Sequence, residues 1–124
     1  MNSNFNYSCP YMIKVKTKIQ IFNESNNALG PGKAELLSAI SNNGSISAAA
    51  KSMNMSYKRA WDLVNEMNMG FKEDLVSTKI GGSHGGGTQV TEFGHQVLSL
   101  YQKAVKNSEA FIDVQMADLI KLLK

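Results

Sequence analysis

Cysteine is nearly absent from this chain: Cys9 is the only one in 124 residues. A disulfide framework is excluded, and a reducing cytoplasm is the expected compartment. Histidine is almost as scarce, with His84 in a glycine-rich stretch and His95 near a helix start. Neither has a Cys or carboxylate cluster beside it at metal-ligand spacing, so no metal site is expected. Nucleophile-elbow and zinc-helix motifs are missing too, which argues against an enzyme and leaves no cofactor to expect. No window approaches the ~18 apolar residues of a membrane span, and the Asn- and Ser-rich start has no signal-peptide core. Charge of one sign is also in short supply. Thirteen basic and ten acidic side chains leave a net +3. Residues 1–28 hold three Lys against one Glu, 29–90 hold six basic against five acidic groups, and 91–124 balance at four each. A polyanionic partner would need that positive charge to be placed well.

What is present is periodic. A hydrophobic content of 43% with 19% charged residues fits one ordinary globular domain of modest core. Residues 1–11 read as a loose tail. In the next segment Ile13, Val15, Thr17, Ile19 and Ile21 alternate with Lys14, Lys16, Lys18 and Gln20. That alternation predicts an N-terminal strand over 12–22. Its Lys face reads first as edge protection and second as a DNA contact. A polar turn over 23–27 precedes a helix from Gly32 to Asn42, stopped by Asn43-Gly44. Ser45 can cap a second helix, Ile46 to Met53. Asn54-Met55 makes a tight turn, and Ser56 can cap a third helix, Tyr57 to about Met69.

Short helix, short turn and capped helix together suggest a helix-turn-helix. Ala48-Ala49-Ala50 lets the helices approach closely at a steep crossing, although Ala is also simply a good helix former. On the third helix Ala60, Leu63, Val64 and Met67 face the core, while Lys58, Arg59, Asp62 and Asn65 project elsewhere. The start of such a helix meets bases and phosphates. Arg59 can grip guanine O6 and N7 with two hydrogen bonds, and Asn65 can do the same for adenine N6 and N7. Ser56, Lys58 and backbone N–H groups suit phosphates. Ser45 and Ser47 at the second helix and Tyr57 at the third complete the helical contact set. Asp62 orients Lys58 or Arg59 from one turn away. Trp61 reads as packing rather than base stacking.

A wing follows. Leu75 to Ile80 reads as a strand, Gly81 to Gly87 as a flexible tip, and Thr88-Gln89-Val90 as a returning strand. The Gly run lacks the Gly-Lys-Ser/Thr of a phosphate loop. A hairpin whose tip approaches phosphate or the minor groove fits better, with Lys79, Ser83, His84, Thr88 and Gln89 as contacts. Thr91 caps a long helix to near Lys124, and Glu92 in its first turn suits the helix dipole. Its apolar stripe is too wide for one small domain to cover over ~45 Å. Phe93 and Val97 belong with the domain core. The part beyond Val105 is expected to pack on a second subunit and form a homodimer. The fold class is thus mainly α with small β: a winged helix-turn-helix over 12–106, with an N-terminal strand and a C-terminal dimerisation helix continuing over 107–124.

Gly30-Pro31-Gly32-Lys33, Gly44 to Lys51, the string Ser56-Tyr57-Lys58-Arg59-Ala60-Trp61, and Gly81-Gly82 to Gly87 with Thr91 and Gly94 closely resemble the N-terminal DNA-binding domain of the molybdate-responsive (ModE) regulator family. The resemblance runs from about Ile13 to Lys106, and LysR-type regulators share a similar helix-turn-helix at lower similarity. It implies a dimeric transcription regulator binding palindromic double-stranded DNA. The family's molybdate sites lie in a C-terminal pair of β-barrel domains, so no molybdate site is expected within this chain. Where the family's wing tip often carries Lys, Ser83-His84 stands here, and a free His is mostly uncharged at neutral pH. The alternative reading is a winged-helix protein-interaction module without sequence-specific DNA binding.

Overall fold

The computed structural model describes residues 13–79 and 87–124. They fall into two units, residues 18–105 and a smaller one joining the segment up to Thr17 with the chain from Lys106 onward.

The larger unit begins with a hairpin. Strand β1 (Ile21–Asn23) pairs antiparallel with β2 (Asn26–Leu29), Ile21 opposite Leu29 and Asn23 opposite Asn26. Glu24 turns the chain with φ of 58°. Helix α1 (Pro31–Asn43) starts on a proline, whose missing N–H costs nothing in the first turn. It stops at Gly44, where φ is 79° and the N–H reaches Ile40 O. Helices α2 (Ile46–Ser52) and α3 (Tyr57–Gly70) follow, then the antiparallel hairpin β3 (Val76–Lys79) and β4 (Gly87–Val90) with Val76 opposite Val90. The last helix, α4, is Glu92–Ile120.

α1 is the hub. It packs on α2, α3, β2 and β4, and α2 and β2 pack on α3. Leu36, Leu37 and Ile40 of α1 meet Ile46, Ala49 and Ala50 of α2, and Ala60, Val64 and Met67 of α3, in one buried cluster. Leu75, Val76 and Val90 of the second hairpin and Leu98 and Tyr101 of α4 close it. Burying each large aliphatic group contributes about 1.5–3 kcal/mol, so this cluster is the main cohesive force. Phe93 and Val97 pack against it half-buried, in their expected place. Gly94 lets α4 pass the hairpin: a Cβ there would stand 2.3 Å from Leu75 O.

The expected N-terminal strand is shorter and later than its alternation suggests. Residues 13–20 carry no ladder, and only Ile21–Asn23 is strand. The alternation survives as burial alone, with Val15, Thr17 and Ile19 half-buried and Lys14, Lys16 and Lys18 exposed. Edge protection therefore does not explain the Lys face, because residues 14–18 form no sheet edge. The predicted polar turn over 23–27 narrows to Glu24-Ser25, since Asn26 and Asn27 belong to β2. The last helix also ends at Ile120 rather than near Lys124.

In the smaller unit, helical residues Ser108, Ile112, Met116 and Ile120 are half-buried, while Phe111, Val114 and Leu119 stand more than half exposed.

Candidate nucleic-acid interface

Two serine caps set the geometry. Ser45 Oγ accepts from Ala48 N at 3.0 Å and opens α2, and Ser56 Oγ accepts from Arg59 N at 3.0 Å and opens α3. Each satisfies one amide left over at a helix start, a contact typically supplying about 1 kcal/mol. Between the helices Asn54 adopts φ of 60°, and Met55 N donates to Ala50 O at 3.0 Å. Ala49, Ala50 and Ala60 are essentially sealed from solvent. Ala49 and Ala50 of the alanine run are thus core residues where α2 packs on α1 and α3, while Ala48 is half-buried.

α3 then presents three kinds of surface. Ala60, Leu63, Val64 and Met67 are buried. Lys58 and Asn65 point away, exposed, with Asp62 half-buried on the same side by helical phase. Lys58 Nζ sits 3.1 Å from Asp62 Oδ2, so Asp62 orients Lys58, not Arg59. Arg59 is exposed on a flank, where it lines a cleft of about 470 Å³ together with Lys18, Gln20, Gly30 and the start of α1, and Glu66. On the other flank Trp61 is half-buried against the core and meets Tyr57 edge-on at 6.2 Å, so packing is its role. Tyr57 itself is 53% exposed at the helix start. Ser47 is exposed on α2, whereas the Ser45 hydroxyl is engaged as a cap.

The wing is tied to α3 by a residue that the sequence reading passed over. Asn68 Oδ1 accepts from Leu75 N at 2.8 Å and Val76 N at 3.2 Å, while its Nδ2 donates to Val76 O at 3.0 Å. Thr91 closes the other side of the root. Its Oγ1 donates to Asp74 O at 2.7 Å and accepts from Gly94 N at 2.9 Å, which makes it the predicted cap of α4. Gln89 is exposed and Thr88 half-buried on β4. The Lys79 backbone pairs with Gly87. Ser83 and His84, the expected tip contacts, lie outside the described residues.

A second residue missed in the sequence is Lys33. It is 6% exposed, donates to Asn27 O, and pairs with Glu66 Oε1 at 2.9 Å, linking α1, β2 and α3. A Lys inside a helical pattern reads as solvated, and no local signal distinguishes this one. Tyr101, buried on α4, donates its hydroxyl to Ile19 O at 2.8 Å, and burial raises its phenol pKa above the ordinary value. It therefore stays a neutral donor through the physiological range.

Among the described residues, no group of His, Cys, Asp or Glu could hold a metal, and no helix is long and apolar enough to cross a membrane. Three packed helices, a close-crossing capped pair and a two-stranded hairpin before a long helix define a winged helix-turn-helix protein.

The chain is 39% identical over 88 residues to the DNA-binding transcriptional dual regulator ModE of Escherichia coli K12, a match covering 71% of this chain and 34% of that protein. It is 44% identical over 75 residues to the molybdenum transport protein ModE of Azotobacter vinelandii, covering 60% and 28% respectively. The molybdenum-pterin-binding protein MopB of Rhodobacter capsulatus matches at 41% over 73 residues, 59% of this chain and 27% of that one. No protein-family model matches. The chain spans about a third of the length of the curated relatives it matches. Over the matched stretch it is homologous to ModE regulators, in keeping with the DNA-binding domain that the sequence resembles.

Proposed function

We propose that this chain is a cytoplasmic, ModE-like DNA-binding transcription regulator that engages a palindromic site as a dimer. The observation that carries the reading is the outward side of α3. It sits on a capped, close-packed helix-turn-helix and offers Lys58 and Asn65 to a groove, with Arg59 on its flank and Tyr57 at its start. Relatives named as DNA-binding regulators over the same stretch support it.

In this reading α3 enters the major groove. Asn65 and Arg59 are the side chains suited to base edges. Lys58, Ser47 and the N–H groups at the helix starts suit phosphates. Asp62 keeps Lys58 extended until a phosphate displaces it. Lys79, Ser83, His84, Thr88 and Gln89 of the wing extend the contact to the neighbouring groove. The exposed Phe111, Val114 and Leu119 of the C-terminal helix suit a second copy, which would set two recognition helices about 34 Å apart, one turn of DNA.

The test is binding of the chain to its own upstream DNA, with random DNA as competitor, across a salt series. Preferred binding with log K falling linearly in log salt is the expected result. Equal, weak affinity for both DNAs would reject sequence-specific regulation. Light scattering of the protein alone checks the dimer.

A further inference from the structure

Among the described residues, α3 is hydrogen-bonded to the second hairpin and its root through a single side chain. Asn68, in the last turn of α3, spends both ends of its amide there. Its Oδ1 takes the Leu75 and Val76 amides, and its Nδ2 donates to Val76 O. The other ties of the hairpin lead elsewhere. Thr91 fastens Asp74 and Leu75 to the start of α4, and β4 packs on α1. Leu75, Val76 and Val90 do share the apolar core with Val64 and Met67 of α3. Apolar contact is non-directional, so it fills the space between helix and hairpin without fixing their angle. Three hydrogen bonds to two consecutive residues fix it, because each has a preferred direction.

An angle set at the root is carried outward. β3 and β4 run in unbroken register from Val76–Val90 through Ser77–Gln89 and Thr78–Thr88 to Lys79–Gly87. At 3.2–3.4 Å per residue, a tilt at Val76 is transmitted ~10 Å along the ladder to Lys79. Few side chains could replace Asn68. Asp keeps the acceptor but turns a second oxygen toward Val76 O, and Ala offers neither donor nor acceptor.

We propose that Asn68 is a positioning residue for DNA binding: it sets the angle between α3 and the wing so that both meet one duplex together. The inference rests on the DNA-binding reading above, and it needs no contact between Asn68 and DNA. A hairpin loose at its root must be ordered when DNA binds, and that ordering subtracts from affinity. Asn68 makes the order part of the free protein.

The experiment is a thermodynamic cycle on the full chain with its own upstream DNA. Gln89→Glu places a negative charge on the exposed side of β4 and reads the wing. Lys58→Ala reads α3, which Lys33–Glu66 still holds to α1. In the wild-type background each substitution should weaken binding several-fold. In the Asn68→Ala background the Gln89→Glu penalty should shrink to less than twofold, while the Lys58→Ala penalty stays whole. A residue that only stabilises the fold would not separate the two. Equal Gln89→Glu penalties in both backgrounds, or loss of both penalties together, overturns the positioning role and leaves the DNA-binding reading standing. So does a Gln89→Glu chain that binds as wild type does. A wild-type chain that binds no DNA overturns the DNA-binding reading and the proposal with it. If Asn68→Ala does not fold, Asn68→Ser, which lacks the donor–acceptor fork of the amide, takes its place with the same outcomes.

Discussion

Helix α3 carries two lysine–carboxylate pairs of nearly equal length and opposite character. Lys58–Asp62 lies on the outward side at 3.1 Å, with the lysine 84% exposed. Lys33–Glu66 joins α1 to the flank of α3 at 2.9 Å, with the lysine 6% exposed. Exposed pairs within one helix contribute only a few tenths of a kcal/mol, so Lys58 can leave Asp62 for a phosphate at almost no loss of stability. A buried ammonium has no such freedom, because removing its partner leaves a charge that water cannot reach. One side of the helix is thus fastened to the domain, and the other is left exchangeable.

That contrast can be broken from either side. The largest effect is expected from the buried packing that holds α3 in place: Ala49→Leu forces extra bulk between α2 and its neighbours and should lower stability by about 3 kcal/mol. Urea denaturation at fixed protein concentration measures it, and a change under ~1 kcal/mol would mean that the two helices are less tightly apposed than described. Next, Asn68→Ala strands the amides of Leu75 and Val76 and should cost about 2 kcal/mol. Amide hydrogen exchange should quicken at the wing root before it does in α1. Glu66→Gln keeps the shape but removes the charge opposite Lys33. About 1–2 kcal/mol is expected, a discounted figure because Glu66 is 54% exposed; thermal unfolding reads it directly.

On the exchangeable side, Lys58→Ala should leave unfolding within ~0.5 kcal/mol of wild type while reducing the salt slope of DNA binding by about 1. A stability loss without a slope change would reverse the assignment of the two sides. The smallest effect is expected from Asp62→Asn. Freed of its carboxylate, Lys58 should bind DNA slightly more tightly, by a few tenths of a kcal/mol, with no change in the urea midpoint. Anisotropy titration of labelled DNA is sensitive enough to show it.

The parts of this arrangement that were legible in the sequence are those fixed by local rules. Ser45 and Ser56 sit where capping serines belong, Gly44 where a left-handed stop is needed, and Ala49-Ala50 where two helices must meet. The wing root followed from Thr91 and the β-branched run before the glycines. The N-terminal segment misled because period-2 alternation reports which side chains are covered, not whether a neighbouring strand offers a free edge. Residues 13–20 have the first property without the second. Lys33, Asn68 and the Lys18–Arg59 cleft were invisible for a different reason. Each depends on partners from other elements, such as Val76 for Asn68 and both Asn27 and Glu66 for Lys33, and a lysine or asparagine in a helical pattern looks alike whether solvated or buried.

The wing root has one further consequence, for how such proteins can diversify. Thr91 N donates to Leu75 O at 2.9 Å, its hydroxyl holds Asp74 O, and Asn68 grips the same turn from α3. The two ends of the hairpin are therefore clasped independently of the segment that joins them. Doubling the length of a loop closed in this way costs only about 0.6 kcal/mol. Changes in the length or sequence of the stretch between β3 and β4 should then leave the scaffold folded, so that stretch can vary while the domain that presents it does not.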